Sequence, residues 1–171
     1  KDITVVITSF KSNEKIINCL NSINNQCKVI VVENSDDLKI KQKIENTFSN
    51  VQCILSGENF GYGRANNIGL KNVKTKYALI LNPDATLESS TLENFLIVTK
   101  QNLDFAIIGP DDQEKRKVST SMDINNTDLI KVENVKGFAM FLNLEQFEDV
   151  GFFDENFFIY FEEIDLCRRL T

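Results

Sequence analysis

Tyr77-Ala78-Leu79-Ile80-Leu81-Asn82-Pro83-Asp84-Ala85 decides the fold. A continuous apolar run of this length, cut off by a proline, is the pattern of a parallel strand buried on both faces. Pro83 has no N–H to give a sheet ladder, so the strand ends near Asn82. Asp84 then lies just past the carboxyl end of a central strand, where open α/β sheets bind their ligands. A carboxylate in that place suits a hard metal ion, and the metal in turn suits a diphosphate. Taken alone, Asn-Pro-Asp also reads as a turn that caps the following helix.

Working outward, Ile3 to Thr8 is β-branched almost throughout and is predicted as a central strand. Ser12 or Asn13 is placed to cap a helix whose Ile16, Ile17, Leu20 and Ile23 share one face. Strands are expected at Val29–Val32 and Val51–Leu55, with a short helix over Asp37–Phe48 between them. Helices are predicted through Leu70 and over Leu87–Lys100, and a short strand over Phe105–Ile108. Strand and helix alternate four times, which predicts an α/β fold with a doubly wound, mostly parallel sheet. Right-handed crossovers then bring Thr8, Glu33, Ser56 and Asn82 to one rim. Beyond Pro110, residues 111–133 are polar and expected to be irregular or a short hairpin, with Asp111–Lys117 an exposed mixed-charge loop. A strand interrupted by Gly137 is expected over Val135–Leu142, and a short helix over Leu144–Val150.

Composition narrows the chemistry. The chain has 171 residues and a net charge of −6, which fits one domain and argues against a nucleic-acid backbone as partner. It contains four cysteines in no metal-binding spacing and no histidine. Scattered buried thiols in a reducing, cytoplasmic setting are the expectation. No apolar run approaches the ~20 residues of a membrane span; no signal peptide is expected before the first strand, and the opening on Lys1 without Met is read as a start that could have been trimmed. Without histidine, a general base working near neutral pH must be a carboxylate, Lys, Tyr or Cys. A metal site must be rich in oxygen, which favours Mg²⁺ or Mn²⁺ over Zn²⁺.

Three constellations could carry chemistry. The first is the polar rim of Thr8, Ser9, Glu33, Asn34, Asn59, Asn82 and Asp84. It describes a pocket for a ligand with a base, a ribose and phosphates, with Glu33 suited to ribose hydroxyls or a base N–H. The second is Asn59–Gly69, where Gly61 and Gly63 allow close backbone approach at a helix start and Arg64 could reach phosphate or lie idle on the surface. Its glycines follow the third strand, not the first, which argues against a nicotinamide site. The third is Glu162-Glu163-Ile164-Asp165, three acids in the first turn of a helix, where repulsion suits a base and the helix dipole suits any acid. Helical spacing puts Glu162 and Asp165 on one face and Glu163 on another. The aromatic residues between Phe152 and Phe161 are expected to be core or a cleft wall.

Taken in order, Thr8-Ser9-Phe10, Val32-Glu33-Asn34-Ser35, Asn59 through Gly69, Leu81-Asn82-Pro83-Asp84-Ala85, and Gly151-Phe152-Phe153-Asp154-Glu155 through Leu166 resemble the family 2 glycosyltransferases of GT-A fold. The likeness is greatest to the rhamnosyltransferase-like branch of polysaccharide assembly and covers nearly the whole chain. It implies inverting transfer of a sugar from a nucleoside diphosphate, dTDP-rhamnose or a UDP-sugar, to an acceptor hydroxyl. It maps nucleotide binding to Thr8, Ser9, Glu33 and Asn59, and the DxD-type motif to Asn82-Pro83-Asp84, with Asp84 holding Mg²⁺ or Mn²⁺. It maps the base to Glu163, with Glu162 and Asp165 as the neighbouring alternatives, and the sugar and acceptor pocket to Gly137 and Asp154.

The sequence departs from the family pattern in three ways. Asn82 replaces the first acid of the motif, Glu stands where the base is usually Asp, and the chain stops at Thr171, soon after the base helix. The last departure predicts a C-terminally truncated or minimal catalytic domain over 1–171. A glycan or lipid-linked acceptor, with peripheral association at the inner face of a membrane, is implied by the family alone. The rival readings are a sugar nucleotidyltransferase, which would carry glycines in the loop after the first strand, and a non-catalytic nucleotide-sugar-binding or scaffold domain of the same fold.

Overall fold

The computed structural model describes residues 2–101, 104–110 and 129–170. Strands β1 (Ile3–Ser9), β2 (Lys28–Glu33), β3 (Val51–Leu55) and β4 (Tyr77–Leu81) run parallel, and β5 (Ile107–Ile108) and β6 (Ala139–Asn143) complete one sheet in the order β3-β2-β1-β4-β6-β5. β6 is antiparallel to both of its neighbours. The helices are α1 (Lys15–Ile23), α2 (Leu38–Thr47), α3 (Tyr62–Leu70), α4 (Thr91–Gln101) and α5 (Glu162–Arg169).

Alternate residues of each central strand enter different cores, which is why the runs are apolar without a break. Ile3, Val5, Ile7, Tyr77, Leu79 and Leu81 pack with Ile16, Leu20, Ile40, Ile44 and Leu92 of α1, α2 and α4. On the opposite face, Val6, Ala78, Ile80, Met140 and Leu142 pack with Leu70 of α3 and Leu166 of α5. The sheet is therefore a middle layer between helices. The four cysteines are buried thiols in no disulfide, as expected from the sequence.

Several boundaries differ from the sequence expectation. The residue preceding α1 is Glu14, with no side-chain cap; the Ser12 hydroxyl instead donates to the Phe10 carbonyl at 3.0 Å. α4 starts at Thr91, not Leu87, because Leu87 anchors the approach loop to the core while its N–H donates to Ser22 Oγ. The strand expected over Phe105–Ile108 is reduced to Ile107–Ile108, and Leu144–Phe147 is a single 3-10 turn where a helix to Val150 is expected. The strand expected at Val135 begins at Ala139, because Gly137 and Phe138 belong to the rim, where the Phe138 carbonyl accepts from Asn82 N–H at 2.9 Å. The expectations for residues 111–128 lie outside the described residues.

Candidate active site

The parallel register puts the ends of β1 and β2 side by side, with Ser9 opposite Glu33. β6, running the other way, starts where β4 ends and so delivers Gly137 to the same rim. Beside the β1 and β2 ends is a cleft of about 570 Å³, bordered by Phe10, Lys11, Lys15, Glu33, Ser35 and Asp36.

Buried polar atoms without protein partners mark this rim. Thr8 Oγ1, Ser9 Oγ, Glu33 Oε2 and Asn82 Oδ1 are all buried and lack a hydrogen-bond partner. Leaving such groups unpaired is costly, so their concentration at strand ends points to a bound polar ligand. Ser35 Oγ donates to Glu33 Oε1 at 2.7 Å, which orients the carboxylate and leaves Oε2 without a partner.

Asn34 organises the loop that carries the glycines. Its amide donates to Asn59 Oδ1 at 2.8 Å and to the Gly61 carbonyl, while its oxygen accepts from Phe60 N–H and Ser56 Oγ. Asn59 thus uses its side-chain oxygen within the loop, where it also accepts from Gly61 N–H. Gly61 sits at φ 82°, ψ 177°, a conformation nearly confined to glycine. A Cβ there would overlap the Phe158 carbonyl oxygen and stand 2.8 Å from its carbon. The close approach lets Tyr62 N–H donate to that oxygen at 3.0 Å. The start of α3 is thereby tied to residues 156–161, the segment leading into α5.

The structure separates the three acids of α5. Asp165 accepts from Arg169 Nε at 2.8 Å, and the same guanidinium donates to the carbonyls of Val150 and Phe152. Arg169 therefore fastens α5 to the preceding loop, and Asp165 holds that guanidinium in place from one turn earlier. Glu162 is buried beside Gly63 and Tyr62, its Oε2 has no partner, and burial followed by the charge of Glu163 raises its pKa. Glu163 is only half-buried and faces the rim, with its Cδ 3.8 Å from where a Cβ of Gly137 would stand. Tyr62 hydroxyl donates to the Gly137 carbonyl and fixes this edge, and burial raises the phenol's pKa well above its usual value.

Two expected site residues are engaged elsewhere. Arg64 stacks 4.1 Å over the Phe60 ring and its Nε lies 3.6 Å from Glu155 Oε2, so the structure does not bring it to the strand-end rim. Asp154 Oδ1 accepts from the backbone and side-chain N–H groups of Asn156, forming the turn that leads toward the aromatic segment.

The site includes residues that sequence reasoning missed. Ser35 orients Glu33, and Asn67 exchanges two hydrogen bonds with the Phe153 backbone. Lys15 Nζ lies 3.4 Å from Asp84 Oδ2. Ser35 and Asn67 lie inside quoted motifs and were within reach, whereas the approach of Lys15 depends on tertiary structure.

Asp84 is exposed, and Asn82 adds a buried amide oxygen with no partner. Oxygen donors of this kind suit a hard divalent cation; Asp84, with Asn82, would hold it, and a diphosphate and water would have to supply the remaining ligands. Among the described residues, no three His, Cys, Asp or Glu side chains group closely enough to hold a metal by themselves.

The profile of Glycosyl transferase family 2 matches residues 4–168. The chain belongs to this family. It is 30% identical to the rhamnosyltransferase WbbL of Escherichia coli K12, over 92% of the chain and 71% of that protein. It is 27% identical to the low-salt glycan biosynthesis hexosyltransferase Agl10 of Haloferax volcanii, over 98% of the chain and 61% of that protein. The chain thus spans about three fifths of the length of that relative. Two solved structures share the fold. TarS 1–349 of S. aureus in complex with UDP-GlcNAc superposes with a TM-score of 0.73 at 18% identity, over 99% of this chain and 53% of that one. The mannosyltransferase PcManGT of Pyrobaculum calidifontis, in complex with GDP-Man and Mn²⁺, gives 0.74 at 14% identity, over 99% and 51%. The mostly parallel sheet between helices is the GT-A fold.

Proposed function

We propose that this chain transfers a sugar from a nucleoside-diphosphate sugar to an acceptor hydroxyl, with inversion at the anomeric carbon, in the assembly of a cell-surface glycan. The observation that carries this reading is the set of unpartnered buried oxygens of Thr8, Ser9, Glu33 and Asn82 at the rim beside the cleft. WbbL is a rhamnosyltransferase and Agl10 a hexosyltransferase, which favours a rhamnosyl or other hexosyl donor; dTDP-rhamnose or a UDP-sugar is the donor in our reading.

In this reading Glu33, Thr8 and Ser9 bind the nucleoside. Glu163 stands at the edge formed by Gly137 and accepts the proton of the acceptor hydroxyl. The hydroxyl oxygen bonds to the anomeric carbon as the bond from that carbon to the diphosphate oxygen breaks, and the diphosphate leaves with the electron pair. Glu162 is buried too deeply against α3 to meet an acceptor, and Asp165 is bound by Arg169, so Glu163 is the acid best placed for the task. Mg²⁺ or Mn²⁺, bound at Asp84 and Asn82, would offset the charge gathering on the leaving diphosphate. A glycan or a lipid-linked acceptor would be met on the exposed side of Glu163. A lipid-linked one would bring the protein to the inner face of a membrane as a peripheral partner. Among the described residues no helix is long and apolar enough to cross a membrane.

Calorimetric titration of UDP, dTDP and GDP, with and without Mn²⁺, tests the donor site. Binding that depends on Mn²⁺ and is weakened by Asp84→Ala is the expected result. A folded protein that binds none of the three nucleotides would remove the donor-site assignment.

A further inference from the structure

Asp84 already has a partner. Lys15 is the first residue of α1, and its Nζ reaches to 3.4 Å from Asp84 Oδ2 across 69 positions of sequence. The side chains are 66% and 53% exposed, so the pair stands at the open side of the rim. Lys15 also borders the cleft, together with Glu33 and Ser35. One ammonium group therefore touches the carboxylate suited to a cation and lines the space suited to a nucleotide. Lys11 also borders the cleft, but its Nζ lies 5.2 Å from the centre of the Phe10 ring and pairs with no carboxylate of the motif, and Arg64 is at Glu155.

The charge at this spot is unusual for a divalent-metal site. With Asn82 in place of a second acid, the motif offers one negative charge, and Lys15 neutralises it. A divalent cation arriving alone meets a locally neutral pair. A cation arriving with a diphosphate brings its own counter-charge, and that diphosphate is an alternative partner for the ammonium. The lysine stem is long and flexible, and an exposed pair of this kind is weak, so the exchange is within easy reach.

We propose that Lys15 is an exchange residue: it pairs with Asp84 until a cation takes the carboxylate and then turns to the diphosphate, so that cation and nucleotide bind as a unit. The inference rests on the donor-site reading above. It assigns to a residue of α1, outside every motif considered in the sequence, the coupling between cation and nucleotide binding.

The test is calorimetric titration of wild type, Lys15→Met and Lys15→Arg with Mn²⁺ alone, with UDP, dTDP and GDP alone, and with each pair. Thermal unfolding confirms that each variant is folded. Lys15→Met is expected to move the two affinities in opposite directions. Mn²⁺ alone binds more tightly, by up to about fivefold, the most that loss of an exposed pair allows. The nucleotide in the presence of Mn²⁺ binds more weakly, by about three- to tenfold, for loss of one partly exposed charge-assisted contact. Lys15→Arg retains nucleotide affinity near that of wild type. If Lys15→Met leaves both affinities unchanged, or weakens both, the exchange role is overturned while the donor site stands. If wild type binds no nucleotide with Mn²⁺, the donor-site reading itself falls, and the exchange role with it.

Discussion

Replacing Gly61 with alanine tests whether the start of α3 and the base helix are one mechanical unit. The φ of 82° and ψ of 177° cost a residue with a Cβ about 1–3 kcal/mol. The new Cβ would also occupy the position of the Phe158 carbonyl, so the segment leading into α5 must retreat and the hydrogen bond from Tyr62 N–H is lost, for about 1 kcal/mol more. Gly61→Ala is therefore expected to lower unfolding stability by about 2–4 kcal/mol. Gly57 supplies the control. Its φ is 91°, yet a Cβ there meets nothing within 4 Å, so Gly57→Ala carries the backbone term alone. Urea denaturation of both variants reads the difference as a shift in midpoint at constant slope. The retreat also displaces Phe161, which immediately precedes Glu162 and Glu163. A displacement of about 1 Å at the base costs on the order of 10²-fold in turnover. The coupling is refuted if Gly61→Ala is no less stable than Gly57→Ala and turns over like wild type.

Other outcomes follow from the same contacts. Asn67→Ala breaks the two-way clamp on Phe153 and removes the hydrogen bond that contributes most to lowering the Glu155 pKa. Its stability should fall by about 2–4 kcal/mol, measured by urea unfolding, because buried backbone groups lose their partners. Arg169→Met frees Asp165 and the carbonyls of Val150 and Phe152, and is expected to loosen α5, seen as faster amide exchange over residues 162–170. Glu162→Gln tests the buried acid through pH. Burial raises its pKa in the native state, so wild type binds the extra proton more readily than the unfolded chain does. The resulting destabilisation is absent below the unfolded value of about 4.3 and complete above the raised native value. The stability of Glu162→Gln relative to wild type should therefore grow as pH rises across that window, and a difference independent of pH would contradict the assignment.

The parts of this fold that were legible in the sequence share a physical cause. β1, β2 and β4 pack helices on both faces, so their runs are apolar throughout; their shortness and the β-branched residues of β1 and β2 select strand over helix, and Pro83 marks where the β4 run must stop. β6 was legible as apolar but not as antiparallel, because its direction depends on pairing with β4, and its start was displaced by the rim duty of Gly137 and Phe138. Leu87 misled in the other direction: an apolar residue near a helix pattern proved to be a loop anchor. Within the site, the strand-end polar residues were readable because sheet topology alone gathers them. The division of labour among Glu162, Glu163 and Asp165 was only partly readable. The pairing of Asp165 with Arg169 four residues on follows helical spacing, but the burial of Glu162 depends on how α3 packs beneath it. Lys15 gave no local signal, since its partner is distant in the chain.

The central claim is that Glu163 activates the acceptor hydroxyl at a donor site built by the β1, β2 and β4 ends. The most direct measurement is turnover of a sugar nucleotide by Glu163→Gln, read as release of the nucleoside diphosphate in the presence of acceptor, beside the calorimetric affinity for that diphosphate. Turnover reduced by about 10²–10⁴-fold with affinity unchanged is the result this account predicts. Turnover close to that of wild type would contradict it.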